Sequence, residues 1–92
     1  MALVAFTGKG LPAMPARKTP SQIALGLAVK QVRTKAGKTQ EQVANAIGMH
    51  ATYLSDIERG ARNPSWDAIV RLAKGMGVGV ADIAAEFDRR SK

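Results

Sequence analysis

The stretch Thr39–Gly60, TQEQVANAIGMHATYLSDIERG, restricts the possible folds more than any other part of the chain. It holds two short helical patterns separated by one glycine. In the first, Val43, Ala44 and Ile47 fall at i, i+1 and i+4, a narrow apolar stripe. In the second, Ala51, Leu54 and Ile57 recur every three residues. Thr39 is a good N-cap and Gln42, three residues on, completes a capping box. Gly48 is expected to end the first helix and Gly60 the second, each in the left-handed conformation that glycine adopts cheaply. Helices this short are not stable alone. They must pack on each other and on further helices, and Ala44 is small enough for the second to cross close over the first.

This pattern resembles the Cro/repressor-type (XRE-like) helix-turn-helix family of bacterial and phage regulators. TQEQVA, the turn Gly48-Met49 and YLSDIERGARNPS from Tyr53 to Ser65 carry the likeness. It continues through Leu72, Ala73 and VGVADI from Val78 to Ile83, covering about residues 22–87. The resemblance implies a compact all-α, five-helix DNA-binding domain with its helix-turn-helix formed by helices 2 and 3. In such a domain Gln40, opening helix 2, holds a phosphate with help from the helix dipole. Ala51, Thr52, Ser55 and Asp56 stand at the positions that meet base edges in the major groove. Tyr53, Arg59 and Arg62 lie where they reach the flanking backbone, and Asp56 can instead orient Arg59, three residues on. The resemblance also pairs Arg33 with Glu58 across the domain. Two positions depart from the family: Ala51 replaces a frequent Arg or Gln, and His50 replaces the usual Ser or Thr cap. Readout then leans on Thr52, Asp56 and DNA shape.

Ninety-two residues allow one domain with a modest core. Aromatics are only 4%, so alanine, valine, leucine and isoleucine fill the interior, which suits small helices in close contact. With no cysteine and one histidine there is no disulfide framework and no metal site to expect. No apolar run approaches a membrane span, and MALVAF lacks the basic start and full apolar core of a secretory signal. A cytoplasmic protein is expected. The net charge of +7 is uneven. Residues 1–21 carry Lys9, Arg17 and Lys18 and no acid, residues 22–64 set six bases against Glu41, Asp56 and Glu58, and the rest is almost balanced. Such a distribution favours a polyanionic partner.

Residues 1–18 read as a basic, flexible arm with Gly8, Gly10, Pro12 and Pro15: either a disordered tail or an arm that follows the DNA. The domain is expected over 19–88. Helix 1 should start at Thr19 or Ser21 and run to about Ala36, burying Leu25, Ala28, Val29, Val32 and Ala36, with Gly26 costing about 1 kcal/mol in its interior. Helices 2 and 3 should occupy about 40–47 and 51–59. Ser65 caps helix 4, which Gly75 or Gly77 stops; Trp66 is expected as a core or interface anchor. Helix 5 should run from about Val80 to Phe87, leaving a polar tail over 89–92.

Nothing supports catalysis: the acids are scattered, His50 beside Thr52 sits at a helix start, and the Gly75–Gly79 cluster merely separates two helices. No cofactor and no small-molecule ligand is expected. Helix 5 presents Val80, Ile83, Ala84 and Phe87, more apolar surface than so short a terminal helix can bury in one domain. A two-fold homodimer on an inverted-repeat operator follows, with recognition helices roughly 34 Å apart. No sensor or protease module is expected in a chain of this size, an economy shared by restriction–modification controller proteins, antitoxins and small phage repressors. The rival reading is a protein-interaction module, such as an antitoxin whose arm folds on a toxin.

Overall fold

The computed structural model describes residues 18–91, and these form five helices: α1 (Pro20–Lys35), α2 (Gln40–Ala46), α3 (Ala51–Glu58), α4 (Trp66–Met76) and α5 (Val80–Arg90). The arm expected over 1–18 lies, except for Lys18, outside the described residues. The helices begin where the sequence carries cap chemistry. Thr19 and Thr39 each accept from the backbone N–H three residues on, while Gln22 and Gln42 return the bond, so α1 and α2 both open on full capping boxes. Ser65 accepts from the Ala68 N–H and caps α4.

The α2–α3 corner is made by Gly48, at φ 65°. Its N–H reaches the Asn45 carbonyl while the Met49 N–H reaches that of Ala44 at 2.8 Å, so the last carbonyls of α2 find donors before the chain turns. Gly60, at φ 75°, repeats the arrangement after α3.

Val29, Val43, Leu54, Ile57, Leu72 and Met76 form the centre of the core, all of them enclosed. Burying such side chains contributes about 1.5–3 kcal/mol each. That offsets the ordering of α2 and α3, which at seven and eight residues would not persist alone. α5 folds back along α1, and α4 crosses α2. Gly26 proves to be a close-approach site. A Cβ built there would lie 2.4 Å from the Ile57 carbonyl oxygen and 2.7 Å from that of Glu58. Its absence lets the last turn of α3 press directly on α1, which accounts for a glycine in mid-helix.

The structure decides one open alternative and differs from the sequence reading in two details. Gly77, at φ 75°, stops α4, whereas Gly75 stays within that helix against Val43 and Ile47. α5 continues to Arg90 instead of ending near Phe87, because Arg89 and Arg90 reach back to Glu86 at 2.6 and 2.9 Å and suit the helix C-terminus. Trp66 is not a core residue: 69% of its surface is exposed. It stands in the first turn of α4, beyond the edge of the apolar stripe that Ile69, Leu72, Ala73 and Met76 bury.

Candidate nucleic-acid interface

The outward side of α3 is built from its own register. Leu54 and Ile57 turn into the core and Glu58 is buried beside them, leaving Thr52 exposed and Ala51, Ser55 and Asp56 half-buried along the opposite side. His50 precedes them without making a side-chain cap bond, so the first N–H groups of α3 are not closed by their own cap.

Asp56 organises the cations that follow. Its carboxylate pairs with Arg59 and lies 3.8 Å from Arg62. The Arg62 guanidinium in turn stacks 4.8 Å over the ring of Tyr53, whose other side packs against the core. Four of the residues singled out from the sequence thus form one cluster, with Thr52 on the next turn. Asp56 takes the arginine-orienting geometry in this structure.

Gln40 is also engaged. Its amide nitrogen donates to the Glu58 carboxylate at 2.8 Å, where Arg33 donates twice, at 2.6 and 3.0 Å. Arg33 further donates to the Lys38 carbonyl at 2.8 Å. This network ties the end of α1, the start of α2 and the end of α3 together, and it is nearly enclosed: 11% of the Arg33 side chain and 3% of that of Glu58 are exposed. The hydrogen bond to Glu58 holds the Arg33 pKa above its ordinary value, with burial working the other way. The pair expected from the resemblance is therefore present, with Gln40 as an unexpected third member.

Arg71 escaped the sequence reading. It lies on the exposed side of α4, yet the crossing of α4 over α2 brings its guanidinium to the Ile47 carbonyl at the end of α2. It lines a groove with His50, Thr52, Tyr53, Asp56 and Arg62. No periodicity marks it, since only the helix crossing carries it there.

The four residues expected at a dimer interface do not share one environment. Ile83 is 2% exposed, already spent on the core, because α5 turns that side onto the interior of its own domain. Val80 and Phe87 are half-buried and Ala84 is exposed. With Leu25, Pro64, Ile69 and the projecting Trp66 they line an open apolar groove of about 310 Å³, with Ile83 among its lining residues. Among the described residues no His, Cys, Asp and Glu group suits a metal ion, and no helix is long and apolar enough to cross a membrane.

Comparison with known proteins adds relatives to this geometry. A family model described as a helix-turn-helix domain matches residues 24–85. The control protein C.BamHI of Bacillus amyloliquefaciens is 41% identical over 63 residues, covering 67% of this chain and 78% of its own length. The restriction–modification controller protein C.AhdI of Aeromonas hydrophila superposes with a TM-score of 0.67 at 28% identity, covering 71% of this chain and 98% of that one. The controller protein C.Esp1396I, solved as a tetramer on its natural 35-base-pair operator, superposes with a TM-score of 0.71 at 25% identity, covering 77% and 93%. The corner between α2 and α3, the cation cluster beside it and the match over residues 24–85 agree: the chain belongs to the helix-turn-helix domain family.

Proposed function

We propose that this chain is a sequence-specific DNA-binding transcriptional regulator that acts in the cytoplasm as a homodimer on an inverted-repeat operator. α2 and α3 are its helix-turn-helix, and the Thr52 side of α3 enters the major groove. The observation that carries the reading is the placement of Arg59 and Arg62 around Asp56 at the end of α3, in a chain of this family. Cations flanking a helix that offers small polar groups separate the two tasks of DNA recognition: phosphates position and base edges specify. Arg59, Arg62 and Tyr53 serve the first task, with Gln40 holding one further amide hydrogen toward the backbone. Thr52, Ser55 and the Ala51 methyl serve the second. No catalytic role is assigned.

The homodimer rests on the apolar groove between α4 and α5. An indole left largely in water beside Phe87 and Val80 is surface that association removes. The C.Esp1396I protein, tetrameric on its operator, shows that relatives assemble. Two copies meeting across Trp66, Val80, Ala84 and Phe87 would present both α3 helices to successive turns of one duplex.

A mobility-shift assay on the DNA upstream of the protein's own gene, run beside sedimentation of the free protein, tests both parts. The expected result is a discrete complex that survives excess unrelated DNA, formed by a dimer, with Trp66→Ser giving a folded monomer that binds weakly. Competition by unrelated DNA as strong as by the upstream fragment contradicts the specific reading. A wild-type monomer at tens of micromolar contradicts the interface.

A further inference from the structure

Each arginine among the described residues but one lies within ion-pair distance of a carboxylate. Arg33 meets Glu58, Arg59 and Arg62 meet Asp56, and Arg89 and Arg90 meet Glu86. Arg71 pairs with none among these residues; its bond is to the backbone carbonyl of Ile47. That bond fixes the side chain at the α2–α3 corner, in the groove it shares with Thr52, Tyr53 and Arg62. A guanidinium has five N–H donors, so one bond leaves most of them open. Lys74, one turn on along α4, is exposed and lines a neighbouring hollow with Arg71, so the positive surface continues away from α3.

We propose that Arg71 is a positioning residue for a DNA phosphodiester, extending the backbone contact from Arg62 past the end of α2 and onto α4. The inference rests on the DNA-binding reading above. The chemistry follows from what surrounds the charge. Asp56 partly neutralises Arg59 and Arg62, which lowers their gain on meeting phosphate, whereas Arg71 brings a full charge already held in place by a neutral carbonyl. Less side-chain freedom is lost when such a group binds. The competing explanation is that Arg71 only closes the C-terminus of α2, where a cation also suits the helix dipole.

Arg71→Gln removes the charge and Arg71→Lys keeps it while losing the fork, so the two variants together separate a charge contact from a cap. Binding to the upstream fragment and to unrelated duplex is followed by fluorescence anisotropy over a range of salt concentrations, with thermal melting of each free protein. We expect Arg71→Gln to weaken both DNAs by a similar factor, about tenfold at low salt. The slope of log affinity against log salt should fall by about one. The preferred sequence should not change, and Arg71→Lys should keep the salt slope. An unchanged slope for Arg71→Gln, with or without a lower melting temperature, overturns the inference and leaves Arg71 as a helix cap. A changed preferred sequence overturns it in favour of base contact. Should wild type itself show no salt-dependent affinity for either duplex, the DNA-binding reading falls, and that outcome is visible before any variant is made.

Discussion

Replacing Gly26 with alanine ought to stabilise an ordinary helix interior by about 1 kcal/mol. Here it should do the opposite. The added Cβ would meet the Ile57 carbonyl oxygen at 2.4 Å, the Glu58 oxygen at 2.7 Å and the Glu58 carbonyl carbon at 3.0 Å, where ordinary contact begins at 3.4 Å. All three are backbone atoms of the last turn of α3, so no side chain can rotate away, and α3 has to retreat by about 1 Å. Overpacking of this kind costs typically about 1–3 kcal/mol. A rigid neighbour places the cost at the upper end, so after subtracting the gain in helix propensity the net loss is about 2 kcal/mol. In a domain of this size that lowers the melting temperature by roughly 8–16 °C. Urea denaturation with an unchanged m-value measures it. The same retreat moves Glu58 off Arg33 and Gln40 and shifts Asp56 with Arg59, so operator affinity should fall as well. Gly75→Ala is the comparison: its Cβ would meet the Ile47 Cγ2 at 2.8 Å, the Val43 Cγ1 at 3.2 Å and the Val43 carbonyl oxygen at 3.3 Å, a conflict chiefly with side chains and milder than that at Gly26. A Gly26→Ala protein as stable as wild type, or more so, would refute the close approach of α1 and α3.

Glu58→Ala leaves the Arg33 guanidinium and the Gln40 amide without their shared acceptor and should cost roughly 3 kcal/mol, whereas Glu41→Ala, on an exposed turn, should cost almost nothing; equal melting temperatures would contradict the network. Glu86 has its carboxyl held below the usual range by hydrogen bonds from Arg89 and then Arg90. A depressed carboxylate contributes stability that is complete above its unfolded pKa and is lost as pH falls through the folded one. Thermal melting from neutral pH down through the carboxylate range should therefore decline less steeply for Glu86→Gln than for wild type, and parallel curves would refute that assignment.

Much of this architecture could be read from the sequence because its signals are local. Thr19, Thr39 and Ser65 announce three helix starts, and Gly48 and Gly60 announce two ends, each through chemistry confined to a few residues. The Arg33–Glu58 pair spans α1 and α3 and came from the family likeness, not from spacing. What stayed hidden depends on where helices cross or stop. Gly26 looks like a weak point until α3 is laid on it. Trp66 looks like core until α4 is seen to begin beyond the rim of the apolar stripe. Ile83 looks like free surface until α5 is folded onto α1 and the core. Arg71 reaches the α2–α3 corner only through a packing angle. The continuation of α5 was an exception: Glu86, Arg89 and Arg90 stand at i, i+3 and i+4, a helical ion-pair signal that their polarity masked.

The central claim is that the outward side of α3 reads base edges. Selection from a randomised duplex library with wild type, Thr52→Ala and Asp56→Asn measures that directly. Wild type should enrich an inverted repeat. Thr52→Ala should relax one base position in each half-site, a loss of about 1–3 kcal/mol of discrimination. Asp56→Asn separates its two possible roles, since an arginine-orienting residue loses affinity without a new preference, while a base reader acquires one, toward adenine. The pairing of Asp56 with Arg59 and Arg62 predicts the former. If wild type enriches no site, or if neither variant alters the ranking of sites or the affinity, α3 does not read DNA.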